Sequence, residues 1–296
     1  MNDSAGQPLA ELLDERQRLT NIGFRMLGTM ADAEDVVQET YARWYRLTDD
    51  ERAAIEVPAA WLTRVASRIC LDILGSARAR REHYVGEWLP EPLPSFASPV
   101  VDPLERITLD DSVTMALLVV LESLTPAERV AFVLHDVFAM PFEEIAEIVG
   151  RTPQACRKLA SSARAHVRDR RDREATAAEH SRVVAEFWDA CTTGDLDRLI
   201  AVLDPAVETR SDGGGRIRAA INPVVGADRS ARFVLGVLSK SVDLVPSLEM
   251  ISGRTGIAIR RDGAVSAVVT FNVSGGLVRD VWIVLNPEKL STWSVT

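Results

Sequence analysis

The sequence has few of the features that mark secreted, membrane-spanning or metal-binding proteins. Its three cysteines, Cys70, Cys156 and Cys191, show no paired spacing, and each falls on the apolar side of a helical pattern. This placement favours small core residues over a disulfide or a metal site. The longest apolar run, MALLVVL at 115–121, is far shorter than a membrane span, and no basic start precedes an apolar run as in a signal peptide. We therefore expect a cytoplasmic protein with no metal, no cofactor and no membrane partner.

Acidic residues outnumber basic ones, with 43 Asp and Glu against 34 Lys and Arg, so the formal net charge is −9. One stretch departs from this total, because residues 150–173 hold eight basic side chains against Asp169 and Asp172. The basic residues are Arg151, Arg157, Lys158, Arg164, Arg168, Arg170, Arg171 and Arg173. An acidic total does not exclude a nucleic-acid partner, because a local basic face sets the field that a phosphate meets. The distribution of charge therefore matters more than the sum.

Apolar periodicity predicts that the first 170 or so residues are helical. Helices are predicted over 9–27, 32–47, 58–81, 104–124, 125–138, 142–149 and 152–168. Asp32 is expected as an N-cap, and Pro58 and the pair Thr125-Pro126 as helix starts. Five prolines between 85 and 103 exclude a continuous helix there and predict a linker.

From Glu179 onward the pattern mixes helices and strands. Two helices, and a third around ADRSARFVLGVLSK, accompany runs rich in strand-forming residues. An Asp-Gly turn at 262–263 and a Ser-Gly-Gly turn at 274–276 separate these runs. The pattern predicts an α+β domain built on an antiparallel sheet.

The basic stretch lies in a helix-turn-helix pattern. FEEIAEIV places its apolar residues on one face, Gly150 allows a turn, and Thr152 and Pro153 begin a second helix. Cys156, Leu159, Ala160, Ala163 and Val167 form the apolar stripe of that helix; the opposite face carries Gln154, Arg157, Lys158, Ser161 and Arg168, with Arg164 at its edge. A DNA recognition helix needs both features: an apolar stripe that packs on its partner helices, and long side chains that donate hydrogen bonds to base edges and phosphates. A solvated basic face on a helical bundle is the other interpretation.

Several segments together resemble a bacterial RNA polymerase sigma factor of the extracytoplasmic-function group. DAEDVVQETYARWYRL and PAAWLTRVASRICLDILGSARARR are similar to region 2, and LTPAERVAFVLHDVFAMPFEEIAEIVGRTPQACRKLASSARAHV is similar to region 4. REHYVGEWLPEP, DGGGR at 212–216 and NPEKL at 286–290 resemble the subgroup with a fused C-terminal SnoaL-like domain of the NTF2-like fold.

This resemblance implies a multidomain fold class: two all-α sigma domains, the region 2 bundle and the region 4 helix-turn-helix, followed by an α+β NTF2-like domain. The implied boundaries are 1–84 for region 2, 85–108 for a proline-rich linker, 109–173 for region 4 and 178–296 for the SnoaL-like domain.

The resemblance also implies partners and contact residues. Core RNA polymerase would bind through its β′ clamp helices to region 2 and through its β flap to region 4. The clamp contact falls on Asp35, Gln38 and Glu39, for which a solvated first turn stabilised by the helix dipole is the alternative. Contacts to the −35 promoter element fall on Thr152, Gln154, Arg157, Lys158, Ser161, Arg164 and Arg168.

The helix from Pro58 is expected to contact the −10 element, with residues 48–58 holding a flipped base. The expected −10 contacts are Trp61, Arg64, Arg68, Arg80 and Arg81. Two reservations follow from the residues: Trp61 also fits a core position, and Arg68 is spaced for an i,i+4 ion pair with Asp72. Many relatives carry an asparagine where Ser67-Arg68 stand here, which leaves the detailed −10 contacts open.

A regulatory role is implied for the C-terminal domain, which would dock on the sigma regions and the linker in place of a separate anti-sigma partner. The candidate contacts are Trp88, Leu89, Pro90, Asp212, Gly213, Gly214, Gly215 and Arg216; a bulge and turn with no partner is the alternative for the glycine loop. Catalysis is not expected, because proton transfer needs a carboxylate or histidine beside a donor such as tyrosine. No tyrosine follows Tyr84, and His180 is the only histidine in this domain.

The sequence thus predicts a non-enzymatic sigma factor that directs transcription initiation from promoters and is modulated in cis by its C-terminal domain. A ligand-sensing or enzymatic NTF2-like protein with a DNA-binding tether is the alternative. The DAEDVVQETYARW and PAAWLTRVASR helices favour the sigma factor, because a plain ligand-responsive repressor has no need for them.

Overall fold

A computed structural model describes residues 6–81, 84–95, 113–171, 175–239 and 243–293. Within the helices, the side chains of 6–14, 77–81 and 169–171 are outside this description. The chain divides into two compact units. The first comprises Met1–Arg80 with Val120–Arg168, and the second comprises Arg81–Val119 with Asp169–Thr296.

The first unit is helical throughout its described part, as expected. Its helices are α1 (Gly6–Leu27), α2 (Met30–Arg46), α3 (Asp49–Ala53), α4 (Pro58–Arg81), the end of α5 (Met115–Ser123), α6 (Pro126–Phe132) with a π-helical turn at Val133–Val137, α7 (Phe142–Val149) and α8 (Pro153–Arg171). Thr125 caps α6 in a capping box with Glu128. The predicted helix over 104–124 was wrong at Val113 and Thr114, which are not helical: α5 begins at Met115, and the Thr114 hydroxyl accepts from Leu117 N–H at 3.2 Å. Residues 104–112 lie outside the described residues.

Two local expectations in this unit were wrong. Thr29 rather than Asp32 is the N-cap of α2, and its hydroxyl accepts a hydrogen bond from the Asp32 backbone N–H at 3.2 Å. Asp32 stands in the first turn instead, where the helix dipole favours its charge. The segment 48–58, expected as a loop, contains α3, because Thr48 and Glu51 form a capping box.

A buried arginine joins the helices of the first unit. Arg129 is 2% exposed, and its guanidinium donates to Leu121 O at 2.7 Å and to Met26 O at 2.7 Å. Its charge is balanced by Glu122, whose Oε1 lies 2.6 Å from Nη1. Burial lowers the pKa of Arg129 to about 9, so it stays protonated at neutral pH. One side chain therefore donates to a carbonyl near the C-terminal end of both α1 and α5.

The second unit combines helices with one six-stranded sheet. Helices α9 (Ala177–Thr193), α10 (Leu196–Val202) and α11 (Ala227–Leu238) accompany β1 (Leu203–Asp212), β2 (Val224–Val225), β3 (Val245–Ile251), β4 (Arg254–Arg261), β5 (Ala264–Ser274) and β6 (Leu277–Val284), and a 3₁₀ helix covers Pro287–Trp293. The strand order is β2-β1-β6-β5-β4-β3. The α+β class and both predicted turns are confirmed, but the sheet is mixed rather than antiparallel, because β1 pairs parallel with β6.

Each face of this sheet is covered by different elements. Phe187, Leu199 and Ala231 of the three helices pack with Ile257 and Val269 on one face. The other face is covered by residues from distant parts of the chain, which are Leu89, Met115, Ala116, Val119, Leu290 and Trp293. The linker segment thus belongs to the core of the second unit, and the sheet has two buried faces.

Further expectations concerned the cysteines, the histidine of the second unit and membrane-spanning helices. All three cysteines are buried and free, and burial raises the pKa of each thiol. His180 lies in the first turn of α9, where its Nε2 is 2.9 Å from Thr255 O. Within the described residues, no helix is long and apolar enough to cross a membrane.

We predict that Arg129→Met lowers the free energy of unfolding of the first unit by about 3 kcal/mol. The substitution removes a donor from two buried carbonyl oxygens and the counter-charge from the Glu122 carboxylate. Hydrogen exchange measured on peptides from 15–76 and 120–168 of the full chain checks this value. Arg43→Met is the matched control, since the Arg43–Glu39 pair of 2.8 Å is exposed and such pairs contribute less than about 1 kcal/mol. Equal effects of both substitutions would contradict the assignment.

Candidate nucleic-acid interface and linker-docking cluster

Helices α7 and α8 form the predicted helix-turn-helix. Gly150 closes α7 with φ of 69°, a left-handed conformation that disfavours side chains, and its N–H donates to Ala146 O at 2.9 Å. Thr152 caps α8 through its hydroxyl, which accepts from Ala155 N–H at 3.2 Å. Both boundaries agree with the sequence-based prediction. The turn therefore holds the start of α8 at a defined angle to α7.

One side of α8 is buried and the other is exposed. Cys156, Ala160, Ala163 and Val167 are buried, whereas Leu159, expected in the same stripe, is half-buried. The exposed side chains include those of Thr152, Gln154, Arg157, Lys158, Ser161 and Arg168. The structure therefore brings six of the seven predicted −35 residues onto an exposed surface.

Two arginines of α8 already have carboxylate partners. Arg157 Nη2 lies 2.9 Å from Glu143 Oε1, and its guanidinium sits 5.4 Å from the centroid of the Phe142 ring. Arg164 is half-buried and its Nε lies 2.8 Å from Asp136 Oδ1. The Arg157 pair is exposed and weak, so this side chain can exchange Glu143 for another acceptor.

Helix α2 presents the predicted polymerase contacts. Asp35 and Gln38 are exposed, opposite the buried Val36 and Val37. Glu39 is half-buried and accepts from Arg43 Nε at 2.8 Å, a hydrogen bond that lowers the pKa of its carboxyl. Of these three residues, Asp35 therefore presents an exposed carboxylate, Gln38 is uncharged, and the charge of Glu39 is balanced by Arg43.

Helix α4 carries the predicted −10 residues. Arg64 Nη1 lies 3.2 Å from Glu147 Oε2, and Arg68 Nη2 donates to Glu147 O at 3.4 Å. The expected Arg68–Asp72 ion pair is not formed between these two described residues. Trp61 is half-buried and packs edge-on against the half-buried Trp44, with ring centroids 5.3 Å apart. The side chains of Arg80 and Arg81 lie outside the described residues.

A cluster of four polar residues, Tyr84, Asp212, Asn286 and Lys289, holds the linker segment 84–95 on the second unit; we call it the linker-docking cluster. Asp212 is at its centre and is fully buried. Its carboxylate accepts from Tyr84 Oη at 2.6 Å, from Leu89 N–H at 2.9 Å and from Lys289 Nζ at 2.7 Å. A buried carboxylate with this many donors is satisfied.

Lys289 reaches the cluster from the 3₁₀ helix. The residue is 5% exposed. Its ammonium group donates to Leu89 O and lies 3.9 Å from the centroid of the Trp88 ring. The cation is therefore neutralised by Asp212 and stacked on an aromatic face. Buried ion pairs stabilise only when such additional contacts are complete.

Tyr84 and Asn286 complete the ring of contacts. Asn286 Nδ2 donates to Tyr84 Oη at 3.2 Å, and the backbone N–H groups of Leu285 and Asn286 donate to Asp212 O at 2.7 and 3.0 Å. Burial and the adjacent Asp212 carboxylate raise the pKa of Tyr84 above its usual value. The phenol is therefore protonated and acts as a donor to Asp212.

The rest of the segment is held by backbone contacts. Trp293 Nε1 donates to Pro92 O at 2.8 Å, and Ser252 N–H donates to Leu93 O at 2.8 Å. Ser95 N–H donates to Met250 O at 3.0 Å at the exposed edge of β3. Leu89 and Pro90 are buried, and Trp88 is half-buried. The predicted linker residues therefore lie on the domain that was expected to bind them.

The glycine loop follows Asp212 directly. Gly214 N–H donates to Asp212 Oδ1 at 3.0 Å, and a Cβ on Gly214 would lie 2.5 Å from the Asn286 side chain. Gly213 O accepts from Arg216 N–H at 3.0 Å, and Gly215 lies beside Val85. Arg216 pairs with Glu288 at 2.6 Å on the surface, so it does not reach the linker. The loop thus has a partner, contrary to the simple turn alternative.

Three members of the cluster were missed by the sequence analysis. Tyr84, Asn286 and Lys289 lie in REHYVGEWLPEP and NPEKL, two segments that carried the resemblance. Their spacing along the chain gives no sign that they meet, because about 200 residues separate the first from the other two. In the sequence, the one sign of these residues was that REHYVGEWLPEP and NPEKL resemble segments of the subgroup with the fused domain.

Comparisons with known proteins identify the family of this chain. Residues 12–81 match the family model for sigma-70 region 2, and residues 114–167 match that for sigma-70 region 4. The ECF RNA polymerase sigma factor SigJ of Mycobacterium tuberculosis is 37% identical over 93% of this chain and 91% of its own length. The chain belongs to the extracytoplasmic-function sigma factors.

Two further matches extend over almost the whole chain. The probable ECF RNA polymerase sigma factor SigI of Mycobacterium tuberculosis is 36% identical, with 93% of this chain and 92% of that protein covered. The crystal structure of SigJ superimposes with a TM-score of 0.75 at 36% identity, covering 96% of this chain and 98% of that one. This sigma factor therefore shares the fused C-terminal domain, and it functions in transcription initiation from promoters with core RNA polymerase.

We predict that Asp212→Asn releases the linker, because it leaves the Lys289 ammonium buried without a counter-charge, a defect that costs about 3 kcal/mol or more. Amide hydrogen exchange over 84–95 in this sigma factor should become at least tenfold faster. Asp262→Asn is the control, since Asp262 lies in the β4–β5 turn with φ of 52°, a conformation that asparagine accepts. If amide exchange over 84–95 is unchanged in Asp212→Asn, the cluster does not hold the linker.

Proposed function

We propose that this sigma factor reads the −35 element with the exposed face of α8, contacts the −10 element through α4 and is modulated in cis by linker docking on its C-terminal domain. The domain boundaries given above, 1–84, 85–108, 109–173 and 178–296, are part of this proposal. The observation that supports it is the row of exposed hydrogen-bond donors on α8, whose opposite side is packed in the first unit through Cys156, Ala160, Ala163 and Val167.

The proposed −35 contacts follow from exposure and reach. Gln154, Arg157 and Lys158 lie on the first two turns of α8, which is where a recognition helix meets base edges. Ser161 and Arg168 lie further along and suit the phosphate backbone. Arg164, which is paired with Asp136, is the least available of the set.

The −10 contacts are proposed with one condition. Arg64 and Arg68 both bind Glu147 of α7, so they become available to DNA only when those contacts open. The Arg64–Glu147 pair is 44% and 63% exposed, and exposed pairs cost less than about 1 kcal/mol to break. Arg80 and Arg81 are retained as proposed backbone contacts from the sequence.

Asp35, Gln38 and Glu39 are proposed as the contact for the β′ clamp helices, and region 4 as the contact for the β flap. Exposed carboxylates suit a basic partner surface. The pairing of Glu39 with Arg43 makes Asp35 and Gln38 the stronger candidates.

Modulation in cis is proposed from the linker-docking cluster. The segment 84–95 connects regions 2 and 4, so its attachment to the C-terminal domain restricts the paths the chain between them can take. A buried ion pair at the attachment makes release an all-or-none event rather than gradual fraying. Catalysis by this domain is not part of the proposal, because Asp212, its most buried carboxylate, is committed to the linker.

A transcription experiment tests the proposal as a whole. Core RNA polymerase with the full chain should give run-off transcripts from DNA upstream of its own gene, and core polymerase alone should give none. Asp212→Asn should change the yield at least threefold, whereas Asp262→Asn should not. Transcription that needs the protein but ignores Asp212→Asn would overturn modulation through the cluster, and absence of both transcription and core binding would overturn the sigma mechanism.

We predict a specific role for Arg157. With holoenzyme, Arg157→Ala should weaken binding to the cognate promoter by about 1 to 3 kcal/mol and binding to a −35-scrambled promoter by less, because a base contact is lost only on the cognate DNA. Arg168→Ala is the comparison variant and should weaken both about equally. Equal losses for Arg157→Ala on both promoters would make it a phosphate contact.

A further inference from the structure

The second unit contains an apolar cavity between its helices and its sheet. The cavity has a volume of about 270 Å³. Helices α9 and α11 contribute Trp188 and Phe233, and the sheet contributes Ile257 and Val281. An engineered apolar cavity of about 150 Å³ holds benzene, so this one has room for a molecule roughly twice that size.

The described lining carries one charged side chain. Arg261, at the end of β4, is exposed and makes no ion pair with a described carboxylate. The other polar groups of the described lining are the Ser266 hydroxyl, the Cys191 thiol and the Trp188 indole N–H. Val237 and Ile217, which also line the cavity, are 46% and 43% exposed. The cavity therefore opens to solvent and has a cation available for an anionic group.

The wall of the cavity is shared with the linker-docking cluster. Leu285, Pro287 and Leu290 line the cavity, and they alternate along the chain with Asn286 and Lys289. Leu285 N–H also donates to Asp212 O at 2.7 Å. A molecule that moves this wall moves cluster residues with it, because packed segments shift as units.

We infer that this cavity binds a medium-chain carboxylic acid, with the chain among the apolar side chains and the carboxylate at Arg261, and that binding is coupled to linker docking. An apolar body with one anionic end matches the lining, in which many apolar groups surround few polar ones. The coupling rests on the proposed modulation in cis. The binding itself does not.

Decanoate is the probe, used with the full chain in the absence of polymerase and DNA. Calorimetric titration should show one decanoate per chain, bound at least tenfold more tightly than decanol. Arg261→Ala should remove that preference for the acid, and Arg229→Ala, an exposed charge outside the lining, should keep it. No binding, or equal affinity for acid and alcohol in the unsubstituted chain, would overturn the inference.

Location is tested with blocking variants. Val234→Phe fills the cavity and should weaken decanoate binding at least tenfold, whereas Val225→Phe on the exposed β2 should not. If Val234→Phe does not fold, Val237→Trp at the exposed mouth serves the same purpose. Undiminished binding in the folded blocking variant would place the ligand elsewhere and overturn the site.

Coupling has a separate readout. Decanoate should slow amide exchange over 84–95 at least fivefold, and Asp212→Asn should weaken decanoate binding by a similar factor, because coupling between sites is reciprocal. If decanoate binds but neither change is seen, the proposed coupling is wrong, while the proposed binding site still holds. Since polymerase is absent, failure here is distinguishable from failure of the transcription experiment.

Discussion

The buried pair between Asp212 and Lys289 is the constraint on which the second unit depends. Asp212 is the last residue of β1, and Lys289 lies in the 3₁₀ helix. The linker backbone contacts both, because Leu89 N–H donates to the Asp212 carboxylate and Leu89 O accepts from Lys289. Neither charge is stable in this environment alone. The linker, the glycine loop and the C-terminal helix must therefore be in place together, which makes their association cooperative.

The same logic explains why the second face of the sheet is covered by residues distant in sequence. Helices α9 to α11 cover one face, and the opposite face would expose Ala258, Val268 and Trp282 if nothing else packed on it. Linker residue Leu89 and the first residues of α5 cover it instead. The apolar burial supplies the stabilisation, and the polar cluster fixes the register in which the linker binds.

In the first unit, polar contacts link region 2 to region 4. Arg129 ties α1 to the helices of region 4 from a buried position, and Arg64 and Arg68 reach Glu147 at the surface. The buried contact is costly to break and the surface contacts are weak. The contacts of Arg64 and Arg68 with Glu147 can therefore open without unfolding the junction that Arg129 maintains.

The sequence determined the helices of the sigma regions, the helix-turn-helix with its caps at Gly150 and Thr152, and the family, because these depend on contacts within a few residues or on linear motifs. It did not reveal that β1 runs parallel to β6, that Arg68 binds Glu147 rather than Asp72, or that Tyr84, Asn286 and Lys289 meet at Asp212. Pairing between strands and burial of charge depend on which distant segments meet, and no local propensity encodes that. Only the tertiary structure decided that the linker is part of the C-terminal domain, because the free energy that holds it there comes from side chains about 200 residues away.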